Sequence, residues 1–217
     1  MFNHLHLIHP NRLIETVQSE INGPIEIRTE FGRPRVIVNH IPQSGGIVQD
    51  ILKKGLNEFQ NPKNFLLLGV GGGAILHKIS QRWPDCRITA VEIDPVMVQI
   101  ANQYFQINQI PHLKIINQDA YDFIKLKTKN LKLKTKYDAI LVDCYIGDQI
   151  PPQLESYDFL QTLKTILSPN GIIVFNRLNN KSNALKTQKF IQTLQPLFPQ
   201  ISQKSIYCNI IVTATLK

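Results

Sequence analysis

At 217 residues and 43% hydrophobic composition, the chain is long enough to bury one good-sized core, which excludes a disordered class and leaves one domain with a short appendage. No apolar run reaches membrane-spanning length, and the first twelve residues mix three histidines, Asn3 and Asn11 with a few apolar groups, so a cytoplasmic protein without a leader or a membrane partner is expected. The net charge of +8 invites a nucleic-acid reading, but six lysines fall between Lys125 and Lys136, a stretch without an acid, so the charge is local and argues against such a partner.

Cys86, Cys144 and Cys208 are far apart and form no C-x-x-C pair, and His4, His6 and His9 have no carboxylate or thiol companion. Neither a disulfide framework nor a metal site is expected. Residues 1–22 read as a loop and a short helix, weakly amphipathic over 12–21. Residues 25–29 and 35–39 alternate apolar and polar around Phe31-Gly32-Arg33-Pro34, the pattern of a small hairpin. Pro42-Gln43-Ser44-Gly45-Gly46 then opens a helix to about residue 59. The first 60 residues are thus an appendage to a domain over 61–217.

That domain is organised around residues 65–94. An apolar run without a polar face, 65–68, stops at Gly69; glycines follow at 71, 72 and 73, and the spacing then becomes helical over 74–83. Glycines at 69, 71 and 73 predict a turn whose backbone N–H groups face a ligand beside the positive end of a helix dipole. A second strand, 87–91, ends on Glu92, where a carboxylate can accept from both hydroxyls of a ribose. The G-x-G-x-G pattern lacks the sixth-position glycine of the dinucleotide fingerprint, so S-adenosylmethionine or a relative is the better match than a dinucleotide.

A helix from Pro95 to about Phe105 follows, with the proline at its first turn. The next strand is 113–117, and Asp119 beyond it is either a helix N-cap or a ligand group. Lys125 to Lys136, which repeats Lys-Leu-Lys-Thr-Lys around Asn130-Leu131, reads as an exposed hairpin or solvated excursion. A fourth strand, 139–142, delivers Asp143 to the carboxyl edge of the sheet. A helix over 156–167, a turn at 168–171, a strand over 172–175, a helix over 183–194 and an antiparallel pair, 202–207 and 209–215, complete the prediction.

Leu-Gly-Val-Gly-Gly-Gly at 68–73, Val-Glu-Ile-Asp-Pro at 91–95, Gln-Asp-Ala at 118–120, Tyr-Asp-Ala-Ile-Leu-Val-Asp at 137–143 and Leu-Ser-Pro-Asn-Gly-Ile-Ile-Val at 167–174 together resemble the class I S-adenosylmethionine-dependent methyltransferases, in detail their spermidine synthase branch. The resemblance implies an α/β, three-layer Rossmann-like fold with a mostly parallel seven-stranded sheet, an antiparallel C-terminal edge and a shortened N-terminal β hairpin. It also implies S-adenosylmethionine or its decarboxylated form as cofactor. Gly69, Gly71, Gly73, Glu92 and Ile93 would hold it, with Asp119 accepting from the adenine amino group, the Ala120 amide on the ring nitrogen, and Gln43 against the nucleoside or simply in water. Family members often pair, so a homodimer is a further expectation.

Asp143 matches the family's catalytic acid, which deprotonates an attacking amine. The family's second acid is displaced: Ile146 holds its place and Asp148 arrives two residues late. Gly72 stands where the family has the acid that pairs with the free ammonium of the decarboxylated donor. These departures favour methyl transfer to a small acceptor over polyamine aminopropyl transfer, and a non-catalytic nucleoside-binding module is the third reading.

Overall fold

The computed structural model describes residues 11–129, 135–179 and 183–217. Strands β1 (Asn11–Ser19), β2 (Gly23–Glu30), β3 (Arg33–Val38) and β4 (Ile41–Ser44) form an antiparallel meander. The predicted hairpin is β2 and β3, closed by Phe31 and Gly32, both at positive φ, as a tight two-residue turn requires. The helix expected over 12–21 is instead strand β1. A bulge between Leu13 and Glu15 breaks the strand's alternation, and Leu13, Ile14, Val17 and Ile21 then imitate a helical stripe. Residues 42–44, expected to open a helix, are paired to β3 as β4, so helix α1 is confined to Gly46–Gly55.

The remaining elements are β5 (Asn64–Leu68), α2 (Ala74–Arg82), β6 (Arg87–Glu92), α3 (Pro95–Phe105), β7 (Leu113–Asn117), α4 (Ala120–Lys129), β8 (Tyr137–Val142), α5 (Tyr157–Ile166), β9 (Leu167–Leu178), α6 (Ala184–Leu194), β10 (Gln200–Ile206) and β11 (Asn209–Thr215). Seven strands make one sheet in the order β10-β11-β9-β8-β5-β6-β7, parallel from β9 to β7 and antiparallel at the β10–β11 edge. This is the α/β fold the resemblance implies. β5 lies at the centre, and its Phe65, Leu66, Leu67 and Leu68 are fully buried because helices cover both faces.

Two corrections concern loops. Lys125, Lys127 and Lys129 lie in α4 rather than in an excursion, while residues 130–134 and His4, His6 and His9 fall outside the described residues. The turn at 168–171 is a bulge inside β9, because Tyr137 pairs with Leu167 and Ala139 with Ile172. Among the described residues, no helix is long and apolar enough to cross a membrane.

The small sheet is bound to the large one. Ile25, Ile27, Val36 and Val38 are fully buried and share a core with Phe65 and Ile79. Asp94 adds a polar anchor: Ser19 Oγ and Asn22 Nδ2 donate to its Oδ2 at 2.5 and 2.6 Å, and its Oδ1 caps α3 by accepting from Val96 N–H at 2.9 Å. The anchor sits two residues from Glu92.

Candidate active site

Strand order reverses at β5, which has β6 on one side and β8 on the other, and open α/β sheets bind ligands in the crevice this reversal leaves at the carboxyl ends. A pocket occupies that crevice. Its wall contains Gln43, Gly69, Gly71, Glu92, Ile93, Asp119, Ala120 and Asp143, so the structure brings together every singled-out residue except Gly73. Gly73 begins α2 at φ +79°, and a Cβ there would lie 2.6 Å from Ile107 Cγ2, so it serves the packing of the helix.

The glycine turn differs from the sequence expectation. Its N–H groups are directed into the protein: Gly69 donates to Val91 O at 2.9 Å, Gly73 to Val70 O at 2.9 Å, and Val70 and Gly71 to Glu92 Oε2 at 2.8 and 3.2 Å. The glycines are needed for close approach. A Cβ on Gly69 would meet Asp143 O at 2.2 Å, and one on Gly71 would meet Gln43 O at 3.0 Å.

Glu92 is the centre of this wall. Its Oε1 accepts from Asp94 N–H at 3.0 Å, so three backbone donors converge on one carboxylate, which has about four acceptor sites in all. One remains, on Oε1, so Glu92 has room for one ligand hydroxyl rather than the two expected from the sequence. Burial pushes its pKa up, and the three N–H groups oppose that. Asp119 is the N-cap that the sequence suggested, its Oδ1 accepting from Asp122 N–H at 3.0 Å, and it also lines the pocket. Gln43, on β4, donates from Nε2 to Gly147 O at 3.3 Å and so ties the small sheet to the loop after β8.

Opposite Glu92 stands Asp143, with its carboxyl pushed up to about 7, first by burial and then by the negative Glu92, against the lowering effect of Asn176 Nδ2, which donates to Oδ1 at 2.8 Å. A carboxyl with that affinity for protons is suited to general acid–base work at neutral pH. Asn176, Asn209, Tyr145 and Cys208 also line this half of the pocket, and sequence reasoning missed their roles. One signal was available: Asn176 is the first polar residue after an apolar strand run, the position that Glu92 and Asp143 hold on their strands.

Neither family-specific acid is present at the pocket. Asp148 is exposed and away from the wall, which has Ile146 instead. At position 72 there is no space: a Cβ would lie 2.7 Å from both the Phe105 ring and Ser44 Cβ. Gly72→Ala is therefore expected to lower stability by about 1–3 kcal/mol in urea unfolding, and a loss below about 0.5 kcal/mol would mean that Phe105 yields freely.

Similarity to known proteins agrees with this geometry. The spermine/spermidine synthase domain profile matches residues 47–215. The chain is 30% identical over 197 residues to an eEF1A lysine and N-terminal methyltransferase homolog of Drosophila pseudoobscura pseudoobscura, covering 85% of this chain and 28% of that protein. It is 36% identical over 115 residues to a polyamine aminopropyltransferase of Vibrio vulnificus, covering 53% and 38%. The chain thus spans well under half the length of either. Among solved structures, human methyltransferase-like protein 13 in complex with SAH superposes with a TM-score of 0.70 at 27% identity, over 80% of this chain and 83% of that one. Spermidine synthase from Thermotoga maritima gives 0.76 at 16% identity, over 95% and 73%, a likeness of fold. With the strand order, the glycine turn and the paired acids Glu92 and Asp143 already in place, the matched profile settles the family: the chain belongs to the spermine/spermidine synthase domain family.

Proposed function

We propose that the chain is a transferase domain that binds S-adenosylmethionine and passes its methyl group to an amine, with Asp143 receiving the amine's proton. The relatives named above support an amine acceptor, because one kind methylates lysine and N-terminal amines and the other alkylates polyamines. The observation that carries methyl rather than aminopropyl transfer is the scarcity of acids. Among the described residues the pocket wall has three carboxylates, and Glu92 and Asp119 belong to the nucleoside half, leaving Asp143 alone beside the acceptor. A polyamine with several cations, or a donor with an unbalanced ammonium, would be desolvated there without partners. The amino-acid end of S-adenosylmethionine is a zwitterion and needs no net countercharge.

In this reading Glu92 accepts from a ribose hydroxyl, Ile93 and Ala120 flank the adenosine, and Asp119 uses its uncommitted oxygen for the adenine amino group. Gly69 and Gly71 let the backbone approach, and Gln43 closes the site from the small sheet. Asp143 accepts a proton from the acceptor's ammonium. S-adenosylmethionine, when bound, would supply the methyl group and a neutral thioether leaving group, so the freed nitrogen lone pair would gain the methyl as the carbon–sulfur bond gave its electrons to sulfur. S-adenosylhomocysteine and a methylated amine leave.

Calorimetric titration distinguishes the donors. S-adenosylmethionine is expected to bind at least tenfold more tightly than its decarboxylated form. The reverse order would favour aminopropyl transfer, and no binding of either below millimolar concentration would end both enzymatic readings.

A further inference from the structure

Asp143 is held by a side-chain relay that crosses two strands. Asn176 Nδ2 donates to Asp143 Oδ1 at 2.8 Å, Asn209 Nδ2 donates to Asn176 Oδ1 at 2.7 Å, and Cys208 Sγ lies 3.3 Å from Asn209 Oδ1 as a weak donor. Both asparagines are buried, at 5% and 4% exposure. Each end of the Asn176 amide therefore has a partner of opposite character, and turning it over would set its oxygen against the Asp143 carboxylate.

The backbone beneath is fixed as well. β8 stops pairing with β9 at Val142 and Phe175, so the next groups of β9 would lose their partners on that side. Tyr145 replaces them: its hydroxyl donates to Asn176 O at 3.0 Å and accepts from Leu178 N–H at 2.9 Å. On the other side β11 continues, pairing Ile211 with Asn176 and Asn209 with Leu178. The antiparallel edge thus brings a residue 33 positions away into the acceptor half of the site.

We infer that Asn176 and Asn209 are positioning residues for the proposed transfer: Asn176 occupies Asp143 Oδ1 and leaves Oδ2 as the atom offered to the acceptor, and Asn209 fixes which way the Asn176 amide points. The inference rests on the transferase reading of Asp143. Because the Asn176 donor favours the anion, its loss raises the proton affinity of Asp143. The titratable groups facing Asp143 are Glu92 at the end of β6, Cys144 and Tyr145 on its own loop, Asp119 across the pocket and Cys208 before β11. None of these groups is cationic, and Arg177, whose charge reaches Tyr145, is paired with Glu155 at 2.6 Å.

The test needs neither donor nor acceptor. The pH titration of the Asp143 side-chain carboxyl is followed by carbon-13 resonance, assigned by its disappearance in Asp143→Asn. Asn176→Leu is expected to raise the midpoint by about one to two pH units, the size of one charge-assisted hydrogen bond. Asn209→Leu, which removes only the donor behind Asn176, is expected to raise it by about half a unit or more. A midpoint within 0.3 unit (roughly the reading error) of wild type in either folded variant overturns the relay. Should Asn176→Leu not fold, Asn209→Leu decides alone. S-adenosylhomocysteine affinity, measured in parallel, should stay within about threefold. A wild type that fails to bind it sinks the transferase reading while leaving the relay to the titration.

Discussion

Asp143→Asn is expected to abolish methyl transfer to within about a hundredth to a ten-thousandth of wild type while leaving the S-adenosylmethionine Kd within about threefold. The substitution keeps the shape of the side chain and an oxygen for Asn176 Nδ2 but cannot take a proton. In the wild type the ionised form is the working one, so the rate should climb roughly tenfold per pH unit and level off near pH 7, where the carboxyl is half ionised. In the variant that limb should vanish. A rate unchanged by the substitution would remove the base from the mechanism.

The same change should make the protein more stable, with a definite pH dependence. Asp143 has its carboxyl raised from the ordinary 3.8 to about 7 by burial. Between those values the folded chain keeps a proton that the unfolded chain has released, so stability falls as pH rises through this window, and the full loss is present above pH 7. The corresponding free energy is on the order of 2–4 kcal/mol. Asp143→Asn escapes it. At pH 8 the variant should melt several degrees above wild type, and below about pH 4 the two should melt together. Equal melting at pH 8 would mean that water reaches the carboxylate and relieves the burial. Loss of rate together with gain of stability is the mark of a group held for chemistry at the expense of the fold.

How much of this was legible in the sequence depended on how local the cause was. Helix α3 lies where it was predicted, from Pro95 to Phe105, because its start is written into adjacent residues: Asp94 caps Val96, and Pro95 takes the first turn. The central β5–turn–α2 unit was legible for the same reason. β1 was not, because its bulge at Leu13–Glu15 and its pairing to β2 are properties of two segments together. The acids at strand ends could be named because the change from apolar to polar marks the sheet's edge. What they bind within the protein could not. The N–H groups of Val70 and Gly71 belong to Glu92 and those of Gly69 and Gly73 to backbone carbonyls, and the asparagines behind Asp143 meet only through the register of β9 with β11.

Glu92→Ala should do the reverse of Asp143→Asn, weakening the donor and the fold together. Three backbone donors, from Val70, Gly71 and Asp94, lose their acceptor. Each buried unpaired N–H costs about 1–3 kcal/mol, and the pocket beside them admits water that recovers part of it, so a net loss on the order of 3–5 kcal/mol is expected. For a chain of this length that is a fall in Tm of about 10 °C. Asp94 links the loss to the rest of the molecule, because it also receives Ser19 and Asn22 and anchors the small sheet that presents Gln43. S-adenosylmethionine affinity should drop at least a hundredfold, since both the ribose acceptor and the shape of the glycine turn go with the carboxylate. Glu92→Gln distinguishes the two contributions. Its amide oxygen can serve Val70 and Gly71 only if its NH2 is turned toward Asp94 N–H, donor against donor, so the turn can survive while the free Oε1 site for ribose is lost. Glu92→Gln should therefore lose most of the affinity and only part of the stability. A variant that keeps its affinity would show that the ribose is held elsewhere, and one that keeps wild-type stability after Glu92→Ala would show that the turn does not depend on this carboxylate.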